Sequence, residues 1–148
     1  MQDKEYIAVL IQSLEKKKEI LDKIIAKNKE QKILFTDEGS DPDRLEENMQ
    51  EKSGLVDQLN ELDEGFQQIY NRVKAMLQAD KESYKEEIRT MQKLITEITE
   101  MSTTIQTQEK RNYDLAGKRF AKVKKGIRKA RASNRVASQY YKNMANLN

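Results

Sequence analysis

The residue types able to do chemistry in this chain are almost all charged. Its 148 residues include 28 Lys and Arg and 25 Asp and Glu, with no Cys, no His and no Trp. Without thiolate or imidazole, the common zinc, copper, iron–sulfur and haem ligand sets cannot be assembled, nor can Ser-His-Asp or Cys-His nucleophiles. Carboxylate-bound Mg²⁺ passes that filter. The acids, however, are set among helix-forming residues, on solvated faces with no pocket to shift their pKa. No enzyme, catalytic residue, metal or cofactor is expected.

What the charges can do is attract a partner, and they are unevenly placed. From Lys110 onward there are twelve Lys and Arg against the single acid Asp114, a local net charge of +11, while residues 1–109 carry sixteen bases and twenty-four acids, a net −8. The dense part is Lys118, Arg119, Lys122, Lys124, Lys125, Arg128, Lys129, Arg131 and Arg135. Such a cluster suits phosphates of a nucleic acid, an anionic membrane surface or an acidic protein. No helix-turn-helix, RNP or zinc module accompanies it, which weighs against nucleic acid. The plainer reading is self-neutralisation. An antiparallel register sets the acidic loop (Asp37, Glu38, Asp41, Asp43, Glu46, Glu47) beside Lys110, Arg111, Lys118 and Arg119, which leaves Lys124 to Arg135 uncompensated.

Apolar residues are interleaved with these bases. Phe120, Val123, Ile127 and Ala130 keep helical spacing, and Val136, Tyr140, Met144 and Leu147 make a second stripe in the nearly uncharged end, Val136–Asn148. Tyr and Met bury large, adaptable surfaces. This end therefore reads either as an anchor that folds on a partner or as a stripe that packs back on its own bundle.

The elements that must position these residues are long helices. The run Thr36–Asp43 contains the only Pro and one of the five Gly. It reads as a loop, with Asp41 as N-cap and Pro42 at the first helical position. Before it, Ile7, Leu10, Leu14, Leu21, Ile24 and Phe35 fall at heptad spacing, with Lys17, Asn28 and Gln31 as polar interruptions. After it, Lys52, Leu55, Leu59, Leu62, Phe66, Ile69, Val73 and Met76 alternate by three and four. Tyr84, Ile88, Met91, Ile95, Ile98, Ile105, Asn112 and Leu115 continue the pattern. A turn near Gln78–Asp80 makes three segments of equal length, each about 50 Å at 1.5 Å per residue. The expected fold is all-α: an up-down-up antiparallel bundle of three long, coiled-coil-like helices over residues 1–117, then a C-terminal helical arm over 118–148. Gly54 and Gly65 each cost about 1 kcal/mol inside the second helix and suit either a close approach or a bend. No apolar run nears the ~18 residues needed to cross a bilayer, and the N-terminus lacks the charge pattern of a signal peptide. A cytoplasmic monomer or homodimer is expected.

The run from Lys52 to Tyr70, KSGLVDQLNELDEGFQQIY, resembles the central segment of FlgN-type flagellar export chaperones of Gram-positive bacteria. The matching features are a Lys opening a leucine-rich helix that closes on Leu62, Asp63 and Phe66, then Gln108 and Asn112 before a basic stretch, and a Tyr-containing end at Tyr140 and Tyr141. The resemblance implies a small, helical, cytoplasmic, non-catalytic chaperone. It would hold unexported hook-associated (hook–filament junction) proteins, prevent premature assembly and deliver them to the flagellar type III export apparatus, touching membrane only indirectly. It also implies that the C-terminal part binds the client. That places Phe120, Val123, Ile127 and Val136 in the client stripe, Tyr140 or Tyr141 at the export gate, and Met144 and Leu147 beside them. Lys122, Lys124, Lys125, Arg128, Lys129 and Arg131 would steer an acidic client. A related chaperone type serving the filament cap has similar helices. A coiled-coil protein that binds nucleic acid or anionic membrane through the basic arm is the alternative from another class.

Overall fold

In the computed structural model of the chain, residues 3–130 are described, with their side chains through residue 122. They form three helices, α1 Asp3–Thr36, α2 Pro42–Ala79 and α3 Lys85–Ala130, and no strand among the described residues. The fold is an all-α bundle.

Both connections are built by short polar side chains. In the first, Gly39 N–H donates to Asp37 Oδ1 at 3.0 Å and Ser40 Oγ donates to the Leu34 carbonyl at 2.7 Å. Asp41 then caps α2 as its sequence context requires, its Oδ1 accepting the Asp43 N–H at 2.9 Å, with Pro42 opening the helix. The second connection is a turn over residues 80–84, longer than the tight turn expected at 78–80, so α3 begins at Lys85 rather than near 80. No Gly or Pro makes this break. Ser83 Oγ donates to Asp80 Oδ1 at 2.8 Å, a side-chain bond across the turn, and the Lys85 N–H donates to the Glu82 carbonyl at 3.4 Å.

The chain divides into two compact units, Met1–Lys23 with Leu55–Thr103, and Ile24–Gly54 with Thr104–Asn148. In the first unit α1 and α2 run antiparallel: Tyr6 lies under the Arg72 guanidinium at 5.1 Å and Lys17 pairs with Asp63 at 2.8 Å. Its core is Ile7, Leu10, Leu14, Ile20, Leu21, Val73, Leu77, Met91 and Ile98. In the second unit Lys27 pairs with Glu51 and Gln31 bonds Asn48, again antiparallel, while Ile25, Asn28 and Gln31 of α1 meet Gln108 and Asn112 of α3 in ascending order, so α1 and α3 run parallel. The direction of the three helices is therefore up-down-up. Leu34, Phe35, Leu45, Met49 and Ala116 form an apolar cluster here, with Leu115 packed against it.

All six apolar residues of the α1 seam are buried, together with Ile20 and Leu34, which the heptad left out. A helix that touches two neighbours buries a wider face than a two-stranded seam does. On α2 the seam positions Leu55, Leu59, Leu62, Phe66, Ile69 and Met76 are only half-buried, while Lys52 and Val73 are fully buried. On α3 the seam skips Ile95, which is 48% exposed, and Leu94 is half-buried in its place. A Cβ at Gly54 or Gly65 would meet nothing within 4 Å, so neither glycine serves a close approach within the chain.

Candidate functional site

The second unit carries a layer of buried polar side chains contributed by all three helices. Asn28, Gln31, Asn48, Lys52, Gln108 and Asn112 are each at most 6% exposed. Asn28 Nδ2 donates to Gln108 Oε1 at 3.2 Å, and Gln108 Nε2 donates to the Ile25 carbonyl at 3.3 Å. Asn112 Nδ2 donates to the Asn28 carbonyl at 2.9 Å and to Gln31 Oε1 at 3.2 Å, while Gln31 Nε2 donates to Asn48 Oδ1 at 3.2 Å. Asn48 Nδ2 closes the layer onto the Lys27 carbonyl and Glu30 Oε1. Each donor finds an acceptor on a neighbouring helix only in one axial register, because a slide of one turn moves partners by about 5.4 Å. Apolar packing at heptad spacing tolerates such slides, so this layer fixes how α3 sits on the other two helices.

Lys52 enters the layer as a cation. Its ammonium pairs with the Glu109 carboxylate, and burial pushes its pKa down while Glu109 partly restores it. The amide oxygens of Asn28 and Asn112 have no hydrogen-bond partner among the described residues. An arrangement of this kind is a poor source of stability and a good source of register.

Beyond the layer, α3 is tied to the first loop. Arg119 Nη1 donates to the Asp37 carbonyl at 2.8 Å, and Lys122 pairs with Glu38, whose carboxyl is held below its ordinary pKa by that bond. The loop thus lies beside the start of the basic segment, at Arg119 and Lys122. Phe120 is half-buried. Helix α3 then continues to Ala130 and carries Val123, Lys124, Lys125, Ile127, Arg128 and Lys129, whose side chains lie outside the described set. Arg131, Val136, Tyr140, Tyr141, Met144 and Leu147 lie outside the described residues altogether.

The described residues that carry the family resemblance separate into two places. Lys52, Gln108 and Asn112 are members of the buried layer. Leu62, Asp63 and Phe66 line a groove of about 350 Å³ in the first unit, together with Ile95, Ile98, Thr99 and Ser102. Sequence reasoning missed Asn48 and Glu109 as partners in the layer. The signals were present: Asn48 precedes Lys52 by one helical turn, and Glu109 is the acid next to Gln108.

Chemically, this arrangement can hold register and present surfaces. Among the described residues no group of three or more acids could hold a metal ion, and no helix is long and apolar enough to cross a membrane. No curated protein and no solved structure matches the chain significantly. The model of the family described as FlgN protein matches residues 1–148. A three-helix bundle whose resemblance-bearing residues form a register layer and a groove, and whose sequence fits that model from end to end, belongs to the FlgN family of flagellar export chaperones.

Proposed function

We propose that this chaperone binds hook-associated (hook–filament junction) proteins in the cytoplasm, keeps them from assembling early and hands them to the type III export apparatus, without catalysis. The binding arm comprises residues 118–148. Phe120, Val123, Ile127 and Val136 form the client stripe, Tyr140 or Tyr141 contacts the export gate with Met144 and Leu147 beside it, and Lys122, Lys124, Lys125, Arg128, Lys129 and Arg131 steer an acidic client. The observation that carries the reading is the family match over residues 1–148, combined with an α3 that continues to Ala130, beyond its ties to the loop at Arg119 and Lys122.

The physical case is an incomplete amphipathic helix meeting another on the client. Apolar burial at about 25 cal/mol per Å² offsets the ordering of the arm. The test is calorimetric titration of the full chain with a purified hook-associated protein at low and high salt. Binding that persists in salt and drops at least about tenfold in Val123→Asp and Ile127→Asp supports the reading. Binding to nucleic acid or anionic vesicles that collapses with salt, or a client affinity indifferent to both substitutions, overturns it.

A further inference from the structure

Helix α3 is held in the second unit by little apolar surface. Between residues 104 and 122 it buries Gln108, Asn112 and Ala116, four apart on one face. Ala116, with half-buried Leu115 beside it, is all that α3 adds to the cluster of Leu34, Phe35, Leu45 and Met49. Those four lie on α1 and α2, which are also joined to each other by the Lys27–Glu51 and Gln31–Asn48 pairs. The polar side of the contact is costly. Asn28 Oδ1, Asn112 Oδ1 and Arg111 Nε are buried without a hydrogen-bond partner, and the Lys52 ammonium rests on the Glu109 carboxylate alone. Among the described residues no such unpartnered buried side-chain atom lies in the first unit. Detachment of this part of α3 returns these groups to water, which recovers the cost of burying them. The ties at its end are the Arg119 bond to the Asp37 carbonyl and the pair of Lys122 with Glu38, whose side chains are 70% and 76% exposed. Exposed pairs of this kind hold weakly.

The same face continues into the client stripe. After Ala116, Phe120, Val123 and Ile127 follow at four, three and four residues, and α3 is continuous to Ala130. By helical spacing, positions 108, 112, 116, 120, 123 and 127 fall along one side of one helix. Over the first three of these positions, α1 and α2 already occupy that side. Phe120, where the two stretches meet, is half-buried.

On the reading of residues 118–148 as the client arm, we propose that residues 104–122 of α3 detach from α1 and α2 as one cooperative segment, and that the client binds this open state. In the closed state the stripe from Gln108 to Ala116 packs on the chain's own helices. In the open state it joins Phe120, Val123 and Ile127 in one uninterrupted face. Closure and client binding then compete for that face, and the measured affinity is the intrinsic one reduced by the fraction of open chains.

The test is native-state hydrogen exchange of the full chain, read residue by residue by NMR in low urea, beside calorimetric titration with a purified hook-associated protein. The amides of residues 106–120 exchange through one shared opening, at least about tenfold faster than those of residues 10–21 and 91–98. Glu109→Gln lies outside the client stripe and strands the Lys52 ammonium in the closed state only. It accelerates this block and strengthens client binding by the same factor, at least about tenfold, while the amides of residues 91–98 are unmoved. Circular dichroism confirms the fold of the variant. Three results overturn the inference: rates equal to those of the first unit, rates that merely climb residue by residue toward the end of the helix, or faster exchange with an unchanged client affinity. Block exchange in a wild type that binds no client supports the opening and overturns the assignment of the arm.

Discussion

Lys52 of α2 and Glu109 of α3 form an ion pair whose two ends are unequally buried: the Lys52 side chain is 0% exposed and the Glu109 side chain 13%. The cation is therefore the member fully removed from water, and Glu109 is its charge partner. Such a pair is costly to break and cheap to replace, since the desolvation of both charges already offsets most of their attraction.

This asymmetry gives a specific expectation. Glu109→Leu leaves the fully buried Lys52 ammonium without its partner and destabilises the chain by about 3–5 kcal/mol, whereas the double variant Lys52→Met with Glu109→Leu returns to wild-type stability or exceeds it. Urea denaturation of the two variants measures the difference. A single variant as stable as the wild type would show that the pair is not desolvated.

Acid sensitivity should come from the carboxylates that bridge helices and loop. Glu38, Glu51 and Glu97 have pKa values below the ordinary 4.5, each first because of a bond from a lysine, Lys122, Lys27 and Lys18 in turn. A depressed carboxylate contributes stability that is present above the unfolded value and is lost as pH falls through the folded one. The chain should hold its stability down to about pH 4.5 and then lose it progressively in more acid solution, and Glu38→Gln, Glu51→Gln and Glu97→Gln together should flatten that loss. At the alkaline end the raised Lys18 and Lys27 act with the opposite sign, their contribution fading as pH climbs past 10.5. Denaturation midpoints as a function of pH follow both limbs.

Core and rim positions of the same unit should respond differently to truncation. Leu14→Ala and Leu10→Ala remove fully enclosed side chains and cost about 2–5 kcal/mol each. Ile95→Ala, at an exposed position in the same unit, should shift stability by no more than about 0.5 kcal/mol. Thermal melts in one buffer compare the three.

Gly65→Ala should stabilise the chain by about 1 kcal/mol, because a helical glycine is replaced where nothing lies within 4 Å of the new methyl. Gly54→Ala should behave alike. Loss of stability in either variant would mean that the second helix needs a bend there.

The buried layer should act on register more than on stability. Asn112→Leu removes the donor to the Asn28 carbonyl and to Gln31, leaving both acceptors buried, and costs about 1–3 kcal/mol. Replacing Asn28, Gln108 and Asn112 together by Leu should recover stability while broadening amide resonances of α3, as apolar layers admit more than one axial setting.

The sequence by itself determined the helices, their order and most of what they bury. Three-and-four spacing from Ile7 to Phe35 and from Lys52 to Met76 admits only helix, and Asp41 with Pro42 marks the start of α2 because a carboxylate cap and a residue lacking N–H both suit a helix N-terminus. Lys17, Asn28, Gln31, Lys52 and Asn112 stood out as polar residues at apolar positions. Only the tertiary structure decided that Asn28, Gln31, Lys52 and Asn112 meet in one layer with Asn48, Gln108 and Glu109, since periodicity places a residue on a face without naming its partner across the bundle. Tertiary structure also moved Ile95 out of the seam and set the second turn at 80–84, where neither Gly nor Pro marks the break in the sequence. The groove beside Phe66 was not legible at all, for it arises where Ser13 of α1 and Thr99 and Ser102 of α3 are too small to fill the space beside Leu62 and Phe66 of α2.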